Sequence, residues 1–364
     1  MYLKRIILQN FKNIKVAELE FSPKINCISG NNGEGKTNLL DAIYYLSMTK
    51  SFFLSSDQYT FTYETNFTAL NGTYMMDDGC EEKIAISVKK SEEKIVKRNQ
   101  KQYSKLSEHI GLIPIVMVSP ADTSLINDSG DERRRFMNFI LSQVDKNYLL
   151  HIQAYNQILM QRNKLLKNEN FSKDFLDVLS EQIVPHADYI YNARKKLCQQ
   201  LIALAREYYS KLSGNKEVIE LEYKSDLDAA PMNILLNREM FKDIFLKYTT
   251  VGIQRDDILF LLNGHLIRKC GSQGQQKTFL LSLKLAQYAL MDRLYGITPI
   301  LLLDDVFDKL DMNRVELLLS MVTSESFGQI FITDSNKVRI STIVNTFTAD
   351  CANFYVENGE INRV

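Results

Sequence analysis

The sequence predicts an α/β fold: a head with a mixed β-sheet, interrupted by a helical insertion. Three observations carry this. A short apolar run, Ile25–Ser29, leads into the glycine-rich loop Gly30–Thr37 and then into a helical pattern. From Glu132 to Ser213 the chain has a single proline, no glycine and dense charge, the texture of long helices. From about Val251 short apolar runs and helical patterns alternate again, and one run, "PILLLDD", ends in a pair of acids. The division expected is residues 1–120 for the first part of the head, 121–250 for a helical arm and 251–364 for the rest of the head.

The first elements follow from alternation. "YLKRIILQNFKNIKVAELEFSPKINCISG" gives two strands, a turn at Ser22-Pro23 and a third strand at Ile25–Ser29. A helix from Gly35 to Ser47 carries Leu39, Leu40, Ile43 and Leu46 on one stripe. Residues 51–118 are rich in Thr, Tyr, Phe, Val and Ile. With turn signals at Asn71-Gly72 and Asp78-Gly79, they read as antiparallel β structure. "IPIVMVSP" is a buried strand closed by Pro120.

Two runs in the insertion alternate spacings of three and four. One holds Tyr148, Ile152, Tyr155, Leu159, Arg162 and Leu166. The other holds Ile183, Ala187, Ile190, Arg194, Leu197, Leu201 and Leu204. They fit two long helices, either as a short antiparallel coiled-coil arm or as amphipathic helices on a globular core. "GIQRDDILFLLNGHLI" then reads as a hairpin turning at Asn263-Gly264. A helix from Ser272 towards Arg293, the buried strand of "PILLLDD", a helix from about Met312 and the strand "QIFITDS" complete the reading.

Bulk properties narrow the function class. The 364 residues are 45% hydrophobic and 24% charged, the ordinary balance of a water-soluble globular chain. No apolar run approaches the length of a membrane span, and "MYLKRIILQNFKN" does not read as a signal peptide. A cytoplasmic protein without a membrane partner is expected. The five cysteines are odd in number and scattered, which fits a reducing compartment. The four histidines are far apart, and none pairs with cysteine at metal-ligand spacing. With 44 basic and 44 acidic residues, total charge gives no hint of nucleic acid, so such binding would need local patches. Two candidates are Arg133–Arg135 and the lysine-rich "KKSEEKIVKRNQKQYSKLSEH"; acidic neighbours dilute both, and the arginines could equally pair with acids.

Gly30, Gly35, Lys36 and Thr37 satisfy G-x-x-x-x-G-K-[ST]. The glycines permit backbone angles that turn successive N–H groups inward onto phosphate oxygens, and the helix start adds partial positive charge. Lys36 is expected to reach the β- and γ-phosphates, and Thr37 to ligate Mg²⁺. The whole loop, Gly30, Asn31, Asn32, Gly33, Glu34, Gly35, Lys36, Thr37 and Asn38, is assigned to ATP. The acidic strand supplies the second half. Asp304 and Asp305 follow a buried strand, at the end where ligands gather in open α/β sheets. Asp304 is expected in the Mg²⁺ shell, and Asp305 as the catalytic residue that orients or deprotonates the attacking water.

A third element narrows the class further. "CGSQGQQKTFLLSLKLAQYAL" opens a helix with Ser272, Gly274 and Gln275, about thirty residues before the acidic strand. It resembles the signature segment of ABC-type ATPases, which in that superfamily binds the γ-phosphate held by a second subunit. The wide separation of Thr37 from Ser272, filled by helices, resembles the SMC-like DNA-repair ATPases, and the chain most resembles their RecF family. "LQNFKNI" resembles the family's opening strand pair, which implies Lys12 and Asn13 near the nucleotide. "GNNGEGKTNLLDAIYYLS", "VSPADTSLINDSGDERRRFMNFIL", "QRNKLLK", "QRDDILFLLNG", "GSQGQQKTFLLSLKLAQ" and "LLLDDVFDKLD" resemble its later segments. Leu310-Asp311 falls where the family has a dimer-contacting loop. The chain departs from the family at Phe53, where an arginine is usual, and at Ile253 and Gln254, where proline and histidine are usual.

The resemblance implies an ABC-type ATPase head that dimerises on ATP and binds single- and double-stranded DNA at gaps. It would act with RecR- and RecO-like mediators to place a RecA-type recombinase during replication-linked repair and the DNA-damage (SOS) response. ATP hydrolysis would be weak and DNA-dependent, a release switch rather than a motor. Two alternatives stay open. One is the head of a transporter, against which the long P-loop-to-signature gap argues. The other is a nuclease-fused DNA-associated ATPase. That reading expects a carboxylate cluster after the head, where little chain remains beyond Asp311.

Overall fold

The computed structural model describes residues 1–168, 172–215, 217–296, 298–307, 311–323, 327–336 and 350–364. The chain forms two compact units, Met1–Ala121 with Met291–Val364, and Asp122–Leu290. No helix among the described residues is long and apolar enough to cross a membrane.

The first unit begins with β1 (Tyr2–Phe11), β2 (Ile14–Glu20), β3 (Ile25–Ser29) and helix α1 (Lys36–Met48). It continues through β4 (Phe67–Met75), β5 (Glu81–Lys89), β6 (Ile95–Arg98), β7 (Lys101–Gln102) and β8 (Ile115–Val118). Asn71-Gly72, a turn signal by composition, lies inside β4, paired to β1 on one side and β5 on the other. The glycine is there for space: a Cβ on Gly72 would come within 2.9 Å of Leu46 on α1. Asp78-Gly79 does form the β4–β5 turn. Residues 51–66 hold only a short 3₁₀ turn and an isolated bridge, less β structure than their composition suggests.

The second unit holds α2 (Ser124–Asn127), α3 (Gly130–Val144), α4 (Lys146–Leu166), α5 (Lys173–Ser213), β9 (Ile219–Lys224), α6 (Met232–Arg238), α7 (Met240–Leu246), β10 (Asp257–Leu262), β11 (His265–Leu266) and α8 (Ile267–Cys270). Helix α9 (Gln273–Tyr295) crosses from it into the closing part of the first unit. That part holds β12 (Ile300–Leu303), α10 (Met312–Val322), β13 (Ile330–Asp334), β14 (Cys351–Glu357) and β15 (Glu360–Arg363).

Among the described residues, two six-stranded sheets build the first unit. One is antiparallel, in the order β2-β1-β4-β5-β6-β7. The other is mixed, in the order β15-β14-β3-β13-β12-β8, parallel except for β15. Helix α1 is buried nearly all round rather than on one stripe, because strands of both sheets pack against it. The β14–β15 hairpin escapes the apolar-run reading. "CANFYVENGEINRV" alternates polar and apolar and turns at Asn358-Gly359, a signal that was present but weak beside the longer runs.

In the second unit α4 packs along α5, and the seam residues Tyr148, Ile152, Tyr155, Ile183, Ala187, Ile190 and Leu201 are buried. The pair does not stand free as a coiled coil, because α3, α6 and β9 also pack on α5. Pro185 lies inside α5 and does not end it. His151 and His186, distant in sequence, meet across the pair with Nδ1 atoms 2.9 Å apart. The second unit extends to Leu290, and within it the β10–β11 hairpin pairs with β9; sequence texture alone places that boundary at 250.

The two seam arginines are both buried. Arg162 Nη1 donates to Asp243 at 2.8 Å and to Thr249 at 2.6 Å. Arg194 Nη1 donates to Asp256 at 2.5 Å and to the Ile253 carbonyl at 2.7 Å. Burial raises the Asp256 carboxyl above its ordinary range, against the pull of Arg194. Arg133 is buried and grips Asp257 through Nε and Nη2. Arg134 pairs with Asp131, and Arg135 with Glu132. The arginine run therefore works largely inside its own unit; Arg135 alone of the three stays well exposed, at 74%. The departures Ile253 and Gln254 serve the same frame. Ile253 is buried, and Gln254 accepts from the Tyr155 hydroxyl and donates to the Val251 carbonyl at 2.8 Å.

Candidate nucleotide site at the strand ends

Strand β3 delivers the chain to Gly30 at the carboxyl end of the mixed sheet, beside β13, and α1 starts at Lys36. The sharp reversal depends on glycine. A Cβ on Gly30 would stand 2.3 Å from the Val356 carbonyl oxygen of β14, and Gly35 takes a φ of 118°. Helix α1 has no side-chain cap at its start, so its first N–H groups remain for a ligand. Lys36 is only 7% exposed, and its ammonium donates to the Gly30 and Asn31 carbonyls, each at 2.8 Å. Asn32, Gly33, Gly35, Lys36, Thr37, Asn38, Asp304 and Asp305 line one cleft of about 180 Å³.

The acids follow β12, which pairs in parallel with β13 and β8. Thr37 Oγ1 donates to the Asp304 carboxylate at 2.9 Å, and Thr333 Oγ1 donates to it at 2.8 Å. Burial raises the Asp304 carboxyl above its usual range; the hydroxyls of Thr333 and Thr37 act the other way. A divalent cation here would offset the cost of burying that charge, and the donors, carboxylate and hydroxyl oxygens, are the hard ligands Mg²⁺ takes. Asp305 stands half-buried with φ at 48°, an uncommon conformation for a residue with a side chain, and its N–H donates to Thr333 Oγ1 at 2.9 Å. Thr333 thus ties both acids together. Its signal is positional only: it lies one residue before the end of the strand beside the loop strand.

The opening strand pair also reaches the loop. Asn13 Nδ2 donates to the Glu34 carbonyl at 2.9 Å, and its Oδ1 accepts from Asn38 Nδ2 at 2.8 Å. Lys12 is held by buried Asp41 at 2.7 Å, with its ammonium 5.4 Å from the Phe53 ring centre. The departure at Phe53 therefore supplies an aromatic face to a lysine.

Ser272, Gly274 and Gln275 belong to the other unit. Ser272 N–H donates to Gln275 Oε1 at 2.7 Å, and Gln275 N–H donates to Ser272 Oγ at 3.3 Å, the reciprocal capping box of a helix start. Ser272 and Gln273 are exposed, so the positive end of α9 faces solvent. Leu310 lies outside the described residues, and Asp311 caps α10 through the Arg314 N–H at 3.0 Å.

Comparison with known proteins identifies the family of the chain. The family described as RecF/RecN/SMC N terminal domain matches residues 2–352. The chain is 45% identical over 361 residues to the DNA replication and repair protein RecF of Parabacteroides distasonis, covering 99% of each chain. It is 43% identical to that of Bacteroides fragilis strain ATCC 25285 over 365 residues, covering 100% of this chain and 99% of the relative. A solved structure described as the recombination mediator protein RecF-ATP in the RecFOR pathway superposes with a TM-score of 0.89. It is 30% identical, with 100% of this chain and 97% of the other covered. The Smc head domain of Pyrococcus furiosus shares the fold at a TM-score of 0.59 and 17% identity, with 100% of this chain and 96% of that one covered. The fold is that of an ABC-type ATPase head, and the chain belongs to the RecF family.

Proposed function

We propose that this chain is an ATP-binding recombination mediator of DNA repair, in which a slow ATPase switch gates binding to gapped DNA. The observation that carries the reading is the junction of Thr37, Asp304 and Lys36 in one cleft at the strand ends. A triphosphate would lie along the loop N–H groups, and the Lys36 ammonium would turn from the loop carbonyls to the β- and γ-phosphates. Thr37 and Asp304 would hold Mg²⁺, which when bound neutralises charge on the phosphate oxygens. Asp305 would orient or deprotonate the attacking water. The exposed start of α9, with Ser272, Gly274 and Gln275, would close on the γ-phosphate held by a second copy, giving an ATP-dependent homodimer. The family relationship supports partners of the RecR and RecO kind, a RecA-type recombinase, and single-strand–double-strand junctions as the DNA.

The test is the mass of the protein in solution, with and without ATP and a gapped duplex, together with ATPase rates under the same conditions. A dimer that forms only with ATP, and turnover that rises with gapped DNA, is the expected result. Rapid hydrolysis by a monomer at every concentration would refute the switch. Asp305→Asn is expected to slow hydrolysis by at least ~100-fold while ATP still binds, leaving a persistent dimer. Normal turnover in that variant would move the catalytic acid elsewhere. Ser272→Arg puts a bulky side chain on the exposed helix start. ATP binding should survive and dimers should vanish; dimers seen by light scattering would exclude the cross-subunit role.

A further inference from the structure

The phosphate loop is gripped from outside the cleft by a hairpin drawn from the far side of the sequence. Strands β14 and β15 join at Asn358-Gly359, with φ values of 50° and 81°, the geometry of a tight two-residue turn. The Gly359 N–H donates to the Glu34 carbonyl at 3.0 Å. The Asn358 N–H donates to the Glu34 carboxylate. Asn13 Nδ2 donates to the same Glu34 carbonyl at 2.9 Å. A Cβ on Gly359 would stand 2.3 Å from the Asn13 carbonyl oxygen, so no other residue fits between these turns without displacing one of them. Three turns thus interlock around the peptide that joins Glu34 to Gly35.

That peptide is planar and trans, so its C=O and N–H point in opposite directions. Two donors hold the Glu34 oxygen on the hairpin side. The Gly35 N–H is thereby aimed away from the hairpin, and Gly35 lines the cleft beside Lys36 and Thr37. Without the grip, glycine's freedom would let the peptide turn over at low cost. A carbonyl oxygen would then face the phosphates, and repulsion would replace a hydrogen bond. We propose that the Asn358-Gly359 turn, with Glu34 as its latch, is a positioning element of the nucleotide site that keeps this peptide from flipping. The proposal rests on the ATP-binding reading above.

The experiment measures ATP affinity by equilibrium dialysis and the melting temperature without nucleotide, on the full chain and four variants. Gly359→Ala should push the turn off Asn13 and weaken ATP binding by about tenfold or more. Glu34→Ala keeps the backbone contact but loses the carboxylate latch, and should weaken binding about threefold. Glu34→Gln retains an acceptor and should restore most of it. Glu360→Ala, exposed beside the turn, should bind as the unmodified chain does. The two Glu34 variants and Glu360→Ala should melt close to the unmodified chain, whereas Gly359→Ala, whose Cβ strains the turn, should melt lower. Should Gly359→Ala fail to fold, the Glu34→Ala and Glu34→Gln pair decides. Unchanged affinity in Glu34→Ala and in any folded Gly359→Ala would overturn the proposal and leave the nucleotide reading standing, as would losses that merely track the melting temperature. Failure of the unmodified chain to bind ATP would overturn both.

Discussion

Lys36→Met is expected to abolish ATP binding, with affinity falling by at least ~100-fold, while the protein stays folded. Among the described residues that line the cleft, Lys36 carries the one cation, and it is held by two loop carbonyls before any nucleotide arrives. A triphosphate brings several negative charges into a partly desolvated site, where charge-assisted hydrogen bonds are worth roughly twice neutral ones. Methionine keeps the length and the apolar stem but offers no donor. The Gly30 and Asn31 carbonyls lose a partner, but the adjoining cleft of about 180 Å³ has room for water beside them, so the melting temperature should move little. Equilibrium dialysis against ATP decides the matter, and an unchanged dissociation constant would remove the cradle from the account.

The second large effect is on stability. Asp256→Ala is expected to cost about 3–5 kcal/mol, because it leaves the Arg194 guanidinium buried without its counter-charge. Tyr223 also loses the acceptor that its hydroxyl holds at 2.6 Å. Against a typical stability of about 5–15 kcal/mol, such a loss should shift the urea midpoint of the helical unit strongly. The double variant Arg194→Met with Asp256→Leu should recover part of it, since an apolar pair of similar volume avoids burying a lone charge. A single variant that unfolds at the wild-type midpoint would show that solvent reaches Arg194.

These two sites mark what could be read in the sequence and what could not. The loop, the acid pair and the capped helix start at Ser272 are local motifs. Their chemistry depends on residues a few positions apart, so their spacing is legible. Arg162 and Arg194 sat on helical seams with no visible reason, because their partners Asp243 and Asp256 are remote in sequence. Asn71-Gly72 misled for the opposite cause. The dipeptide favours a turn locally, but ladder pairing on both sides and the nearness of Leu46 overrule it. Thr333 and the Asn358-Gly359 turn lie in segments whose own patterns are ordinary; only the sheet order brings them to the loop.

Strand order in the mixed sheet has a consequence for biosynthesis. β3, which carries the loop, is flanked by β13 and β14, and both are translated after the whole helical unit. At about 5–20 residues per second, the ribosome takes tens of seconds to get from one to the other. The helical unit, whose β9–β11 sheet and helices all come from one continuous stretch, can fold while β3 still waits for its neighbours. Pairing of β3 with both of its neighbours, and with it the setting of the loop between them, is therefore completed only after β13 and β14 have been made.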